Sequence, residues 1–320
     1  MLVKYIGANR TSFLEDGLFR ITQPKFLNDP KGECIFSPFF NTFSEADLKY
    51  AYRKYTTSIF YEGPNVSDEF LIKHYLLPTG QRYNIDDEPS LLGFSEFDGF
   101  NTMEEYDRFH ASKYVEQINS CLLEELNKTI GILSLTNSLT NQEMWLKYGQ
   151  HGQGIAIAFD STHDFFVKNN IKKVIYDNHK RASITFYENI IRINGIPIPK
   201  EYENADEVSK YYFKNLDPDD LFTRLFLTKN NRWKDEIESR IIFDLIDSDK
   251  DVINGNDLIA LKYIPFESFT ELVLGWAISQ ELTNEISGKI KKNPLLKHLK
   301  IKKVKYGELE NFDQLELIDI

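Results

Sequence analysis

The chain is short of the residues that advertise a chemistry. Its 320 residues include only two cysteines, Cys34 and Cys121. That is too few for a disulfide framework or a four-cysteine zinc cluster, and a reducing, intracellular setting is the simpler expectation. The six histidines, at 74, 110, 151, 163, 179 and 298, never fall into an HxH or HExxH spacing, so no dedicated metal site is expected. There is no GxSxG elbow and neither cysteine has a nucleophile's context, which leaves an acyl-transfer hydrolase without support. Also missing are an internal repeat, a low-complexity tract and a long Gly/Ser linker. No apolar run approaches the roughly 20 residues that span a bilayer. The opening MLVKYIGANR lacks the apolar core of a secretory signal. A cytoplasmic protein that does not engage a membrane is the expectation.

What is present describes an ordinary globular chain: 42% hydrophobic, 27% charged, with 24 Phe and 17 Tyr for a sizeable core. A formal charge of -11 argues against bulk attraction to nucleic acid or anionic lipid, though a local patch could still bind either. LVKYI, LFRIT, TIGILSLT, IAIAFD, VIYD, LIALKYI and FTELVLG read as strands, and the C-terminal LKIKKVKYG and QLELIDI as one or two more. SEADLKYAYRKY and TMEEYDRFHASKYVEQINSCLLEELNK carry apolar residues at helical spacing. Residues 203–230 read as helical on both sides of Asp217-Pro218. Many short strands with grouped helices predict an α+β fold, a mixed and mostly antiparallel sheet core. The expected organisation is a single domain over 1–320, with 37–128 a mainly helical insertion packed on the core.

Three constellations could carry chemistry. WKDEIESRIIF (233–243) reads as a strand whose period of two puts Glu236, Glu238 and Arg240 on one face and Ile237 and Ile241 on the other. Such a face is either an ion network in which Arg240 neutralises a carboxylate, or a site where a glutamate steadies developing positive charge. GQHGQG (149–154) precedes a strand rather than following one, the wrong order for a phosphate-cradling loop, so a tight turn is expected, with His151 a loop residue. KIKKNPLLKHLKIKKVK (289–305) holds eight lysines. It is either a solvated face or a docking patch for RNA, DNA or an acidic protein.

In order along the chain, LVKY (2–5), FLNDP (26–30), MWLKYGQHGQGIAIAFD (144–160), WKDEIESR (233–240) and FESFTELVLG (266–275) resemble the bacterial family known as Domain of Unknown Function 2971. Two departures stand out: Leu27 is inserted in the FNDP-like loop, and Ser239 occupies a place where the family usually has an aromatic residue. The layout is also similar, more distantly, to ADP-ribosyltransferase folds. That likeness implies NAD as a possible substrate, no metal, Glu238 as the catalytic carboxylate and Glu236 as its companion. It further implies Tyr5, Trp145 and Tyr148 as stacking platforms, with Asn28, Asp29 and Arg240 holding a ribose or a loop. The cation usual on the first strand of that fold would fall to Lys4, or to Arg20.

Two functional expectations follow. One is an NAD-consuming ADP-ribosyltransferase or NAD glycohydrolase, an effector in bacterial antiphage defence or a toxin module. The other is a sensor or interaction module that binds a protein or nucleic acid, with Lys289–Lys305 as a docking surface and a purely structural ExExR strand. A nuclease has less support, because no carboxylate cluster beyond Glu236 and Glu238 suggests a metal.

Overall fold

The computed structural model describes residues 1–29, 32–77, 100, 103–188, 190–198, 205–255, 257–306 and 315–320. They divide into two compact units, one of 1–30, 125–176 and 229–320, the other of 31–124 and 177–228. The architecture is α+β, with mixed, mostly antiparallel sheets.

In the first unit the organising element is the Ile155–Phe159 strand, buried at every residue. IAIAF alternates large and small side chains, and the two faces meet different neighbours. Ile155, Ile157 and Phe159 enter the main core with Leu14, Phe19, Phe269 and Leu272. Ala156 and Ala158 leave room on the opposite face for Trp145, beside Val3, Tyr5 and Val273. The strand is flanked by Leu2–Ile6 and Phe269–Leu274, both antiparallel to it. Lys300–Tyr306 then adds parallel to Phe269–Leu274, and Leu315–Asp319 closes the five-stranded sheet. A parallel pair needs a crossover, here the Gln280–Lys292 helix. It begins at Ser279, whose side chain accepts the Leu282 N–H, and buries Leu282 and Ile286.

A second sheet of this unit pairs Ile130–Leu135 with Ser239–Asp244, antiparallel along its whole length. On its other edge Ile130–Leu135 is only bridged, by Val3 at Thr136 and by Thr22 at Ile132. The GQHGQG stretch is the expected tight turn, with positive φ at Gln150, His151 and Gly152. Gly152 (φ 76) must be glycine twice over, since a Cβ there would lie 2.2 Å from the Trp276 ring.

The second unit contains the Glu45–Thr56 helix, opened by a capping box in which Ser44 and Asp47 satisfy each other's backbone N–H. Ala51 and Tyr55 of this helix pack on Leu71 and Leu76. Its four-stranded sheet runs Ile196–Pro197, Ile190–Ile193, Ser183–Tyr187, Ser37–Phe40, with the last pair parallel. Helices Ala205–Asn215 and Pro218–Phe226 sit on either side of Asp217-Pro218, where Asp217 caps the second helix and Pro218 occupies its first turn. The 37–128 stretch contains the Ser37–Phe40 strand as well as helices at Glu45–Thr56, Asp68–Leu71 and Met103–Thr129. The unit that includes its residues 37–124 also takes in 177–228. Expectations that fall on 78–99 and 101–102 lie outside the described residues.

One expectation is corrected here. WKDEIESRIIF is not a single strand. Asn231–Glu236 forms a 3-10 helix capped by the Asn230 side chain, Ile237 turns the chain at φ 45, and the strand begins at Ser239. Ile237 is therefore 48% exposed instead of buried. Two side chains outside the segment hold the turn: Thr136 Oγ1 donates to the Glu236 carbonyl (2.7 Å) and Asn141 Nδ2 to the Asp235 carbonyl (2.6 Å).

Candidate functional site

The turn at Ile237 gathers what period-two alternation would have set in a row. Lys229, Glu236, Glu238 and Arg240 are all buried, and they converge into one ion network within the first unit. Arg240 Nε donates to Glu238 Oε1 at 2.7 Å and Nη2 to Oε2 at 3.0 Å. Lys229 Nζ bridges the two carboxylates, 2.8 Å from Glu236 Oε2 and 3.2 Å from Glu238 Oε2. Burial would raise the Glu238 carboxyl, but Arg240 and Lys229 outweigh it, and with a hydrogen bond from Ser134 they bring its pKa down to about 2. Glu238 is thus ionised and accepts from three donor atoms on two neighbours, which engage both of its oxygens and most of the roughly four acceptor positions of a carboxylate. Its backbone N–H also donates to Tyr176 Oη at 2.7 Å.

The network extends outward from Glu236. Tyr148 Oη donates to Glu236 Oε1 at 3.0 Å and itself accepts from Asn28 Nδ2. Next to Asn28, Asp29 accepts from Trp233 Nε1 at 3.0 Å and pairs with the Arg232 guanidinium. The half-buried Trp233 ring has three cations over it: Lys147 Nζ at 4.8 Å from the centroid, Lys229 Nζ at 5.1 Å and the Arg232 guanidinium carbon at 5.1 Å. Three sequence landmarks therefore meet in one place: the Asn28-Asp29 loop, the Tyr148 segment and the 229–240 segment. Pro30 of that loop lies outside the described residues.

The structure brings together Glu236, Glu238, Arg240, Tyr148, Asn28 and Asp29. It places Tyr5 and Trp145 elsewhere in the same unit. Trp145 is 0% exposed and donates Nε1–H to the Leu139 carbonyl. Tyr5 meets it edge-on at 5.0 Å and donates to the Ser138 carbonyl at 2.8 Å, and burial holds its phenol well above the usual range. Both rings are enclosed by core and offer no open face for stacking. Lys4 Nζ donates to the Ser134 carbonyl at 2.9 Å. Burial, offset in part by the Glu238 charge, brings its pKa down to about 8, with Arg10 and Arg20 adding to the fall.

Sequence reasoning missed Lys229, Tyr176 and Ser134. Lys229 closes the apolar run LFLT at residues 225–228, and a lone lysine ending such a run is the one cue it offers. The lysine-rich stretch is partly consumed within the fold. Lys289 pairs with Glu15 and Glu285, and Lys302 with Glu271. Lys305 stands opposite Glu316 in the last strand pair. Lys291, Lys292, Lys297 and Lys300 remain exposed.

Among the described residues no group of three or more His, Cys, Asp and Glu is placed to hold a metal ion. Among the same residues no helix is long and apolar enough to cross a membrane. No curated protein and no solved structure matches the chain. Residues 144–241, the stretch that supplies Tyr148, Lys229, Glu236, Glu238 and Arg240, match the model of the family described as Protein of unknown function (DUF2971).

Proposed function

We propose that the chain is an interaction module in which the 229–240 segment is a structural frame. The observation that carries this reading is the engagement of both Glu238 oxygens. A buried carboxylate held by Arg240 through both oxygens and by Lys229 through one is occupied as an ion-pair partner, not turned towards a ribose hydroxyl. The surface suited to a partner is the exposed set Lys291, Lys292, Lys297 and Lys300, in a chain whose overall formal charge is -11. An acidic protein segment or a nucleic-acid backbone fits that chemistry. The test compares Glu238→Gln with a variant carrying Glu at all four lysines. Under this reading Glu238→Gln lowers the melting temperature, while the lysine variant keeps it and loses capture of a polyanion such as heparin or single-stranded RNA. Full capture by the lysine variant would remove the surface from consideration.

A second reading has its own support: Glu238 stays ionised beside the Lys4 ammonium. A fixed negative charge can stabilise the sugar cation formed when the bond from ribose C1′ to nicotinamide breaks, nicotinamide leaving with the electron pair and water or a target nucleophile taking its place. On this reading the chain is an NAD-consuming transferase or glycohydrolase with Glu238 and Glu236 at its centre, the roles that the sequence resemblance to ADP-ribosyltransferases would give them, and an effector role in defence or as a toxin would follow. Nicotinamide release from NAD by the wild type, lost in Glu238→Gln, is the expected result. Its absence with candidate targets present would leave the module reading alone.

A further inference from the structure

The Ile130–Leu135 strand has one complete neighbour and one interrupted edge. Ser239–Asp244 pairs with it throughout, with Arg240 opposite Ser134. On the other edge the first strand bridges to it through the backbone at Val3–Thr136, and the Leu18–Ile21 segment through Thr22–Ile132. Both contacts are antiparallel. Arg20, two residues before Thr22, is therefore level with Ser134, and Lys4, one residue after Val3, reaches the same point, its Nζ 2.9 Å from the Ser134 carbonyl. The break in pairing at Ser134 is thus bordered by a lysine on one side and an arginine on the other. Arg10, exposed, belongs to the loop that follows the first strand.

Lys4 shares the charge of Glu238 with Arg240 and Lys229, and the two arginines are short of counter-charge. Among the described residues Arg10 and Arg20 have no ion-pair partner, and Arg20 Nε is buried without an acceptor. The Arg20 guanidinium rests on the Phe26 ring, 5.3 Å from its centroid. The nearby carboxylates are engaged elsewhere. Glu238 is held by Arg240 and Lys229, and Asp257, the acid that attracts Arg20, lies 3.7 Å from Lys25. Burial, and then the charge of Arg10, lower the Arg20 guanidinium below its ordinary value. Like charges gathered with only shared carboxylates to offset them favour an anion that accepts several N–H bonds at once, and a phosphoryl group has the oxygens to do so.

We propose that Lys4, Arg10 and Arg20 form a binding site for a phosphoryl group at the interrupted edge of the Ile130–Leu135 strand. The site goes beyond the module reading and stands independently of the lysine face at 291–300. Its ligand is a phosphorylated small molecule or free phosphate, and the two sources separate by affinity.

The experiment titrates the full chain with inorganic phosphate and with ADP, by calorimetry and by thermal shift, at constant ionic strength. Binding of either probe, with a raised melting temperature, is expected. Arg20→Gln and Arg10→Gln should each weaken it about tenfold or more, the loss of one charge-assisted contact. ADP binding tighter than phosphate assigns a nucleotide-type ligand, and equal affinity assigns free phosphate. No binding of either probe at millimolar concentration, or variants that bind like the wild type, would overturn the proposal. Arg10 is exposed, so Arg10→Gln keeps the test decisive should Arg20→Gln fail to fold. Retention of polyanion capture by both variants shows that the lysine face is a separate matter.

Discussion

Arg240 holds Glu238, two positions before it in the chain, through two nitrogens and both carboxylate oxygens. Both side chains are at least nine-tenths buried, so the pair is worth far more intact than broken. Removing one partner leaves an uncompensated buried charge and costs about 3–5 kcal/mol. Glu238→Gln and Arg240→Met should each lower the urea midpoint by a matching amount. The double variant Glu238→Gln/Arg240→Met should cost less than the sum of the two. Additive losses would mean that the side chains act separately.

The same carboxylate sets a limit on acid stability. Its pKa is lower in the fold, about 2 against 4.5, so the folded state binds its proton less readily than the unfolded chain. The stabilisation is complete above the unfolded value and is lost as pH falls from about 4.5 towards 2, a change of about 3 kcal/mol. Lys4 adds a second slope of the same sign, through a cost instead of a gain. Its pKa falls from 10.5 to about 8, so the cost of burying its charge is present in full below about pH 8 and is relieved as pH rises towards 10.5. Unfolding curves between pH 2 and 10.5 should show both slopes, and Lys4→Met should remove the alkaline one.

Tyr148 joins the Asn28 amide to Glu236. Tyr148→Phe keeps the ring and deletes both hydrogen bonds. A loss of about 1–3 kcal/mol in stability is expected, because Glu236 is left with an unfilled acceptor in a buried setting. Hydrogen exchange should report the consequence as faster opening of residues 26–29, with the Ile155–Phe159 strand unchanged.

At Gly275 the backbone of the Gly152 turn approaches so closely that an added Cβ would lie 2.0 Å from the Gly152 carbonyl oxygen. The obstacle is backbone, which cannot swing aside. Gly275→Ala should therefore separate the turn from the end of the Phe269–Leu274 strand and break the Gly275 N–H to Gly154 carbonyl bond of 3.0 Å. A fall in melting temperature larger than that of Gly288→Ala, where nothing lies within 4 Å, is the outcome to look for.

The apolar runs were legible because burial on both faces leaves a continuous signature. IAIAF and IGILSL lie as strands where their composition puts them. Helix starts were equally plain where a cap stood at the head of the run, as at Ser44 and Asp217. The charged segment misled for a physical reason. Glu236, Glu238 and Arg240 alternate as a strand would, yet a 3-10 turn followed by a left-handed Ile237 also brings them together. Alternation in sequence does not distinguish the two, and the bonds that decide between them come from Thr136 and Asn141, about a hundred residues away. Lys229 was hidden similarly, since nothing in its local spacing says that it will stand between two carboxylates. Tyr5 and Trp145 looked like stacking platforms because aromatic residues serve both roles, and only the alanines opposite Trp145 reveal that it fills core.

The pairing of the strands also bears on what can be cut out of this chain. The stretch 144–241 contains both carboxylates, the lysine between them and the arginine below. Two of its strands find their main neighbours elsewhere: Ile155–Phe159 lies between Leu2–Ile6 and Phe269–Leu274, and Ser239–Asp244 lies along Ile130–Leu135. A fragment with those bounds would carry the whole charged cluster but leave both edges of Ile155–Phe159 and the long edge of the strand begun at Ser239 unpaired. It would expose the apolar faces that Leu2, Val3, Leu272 and Val273 now cover, and aggregate instead of folding.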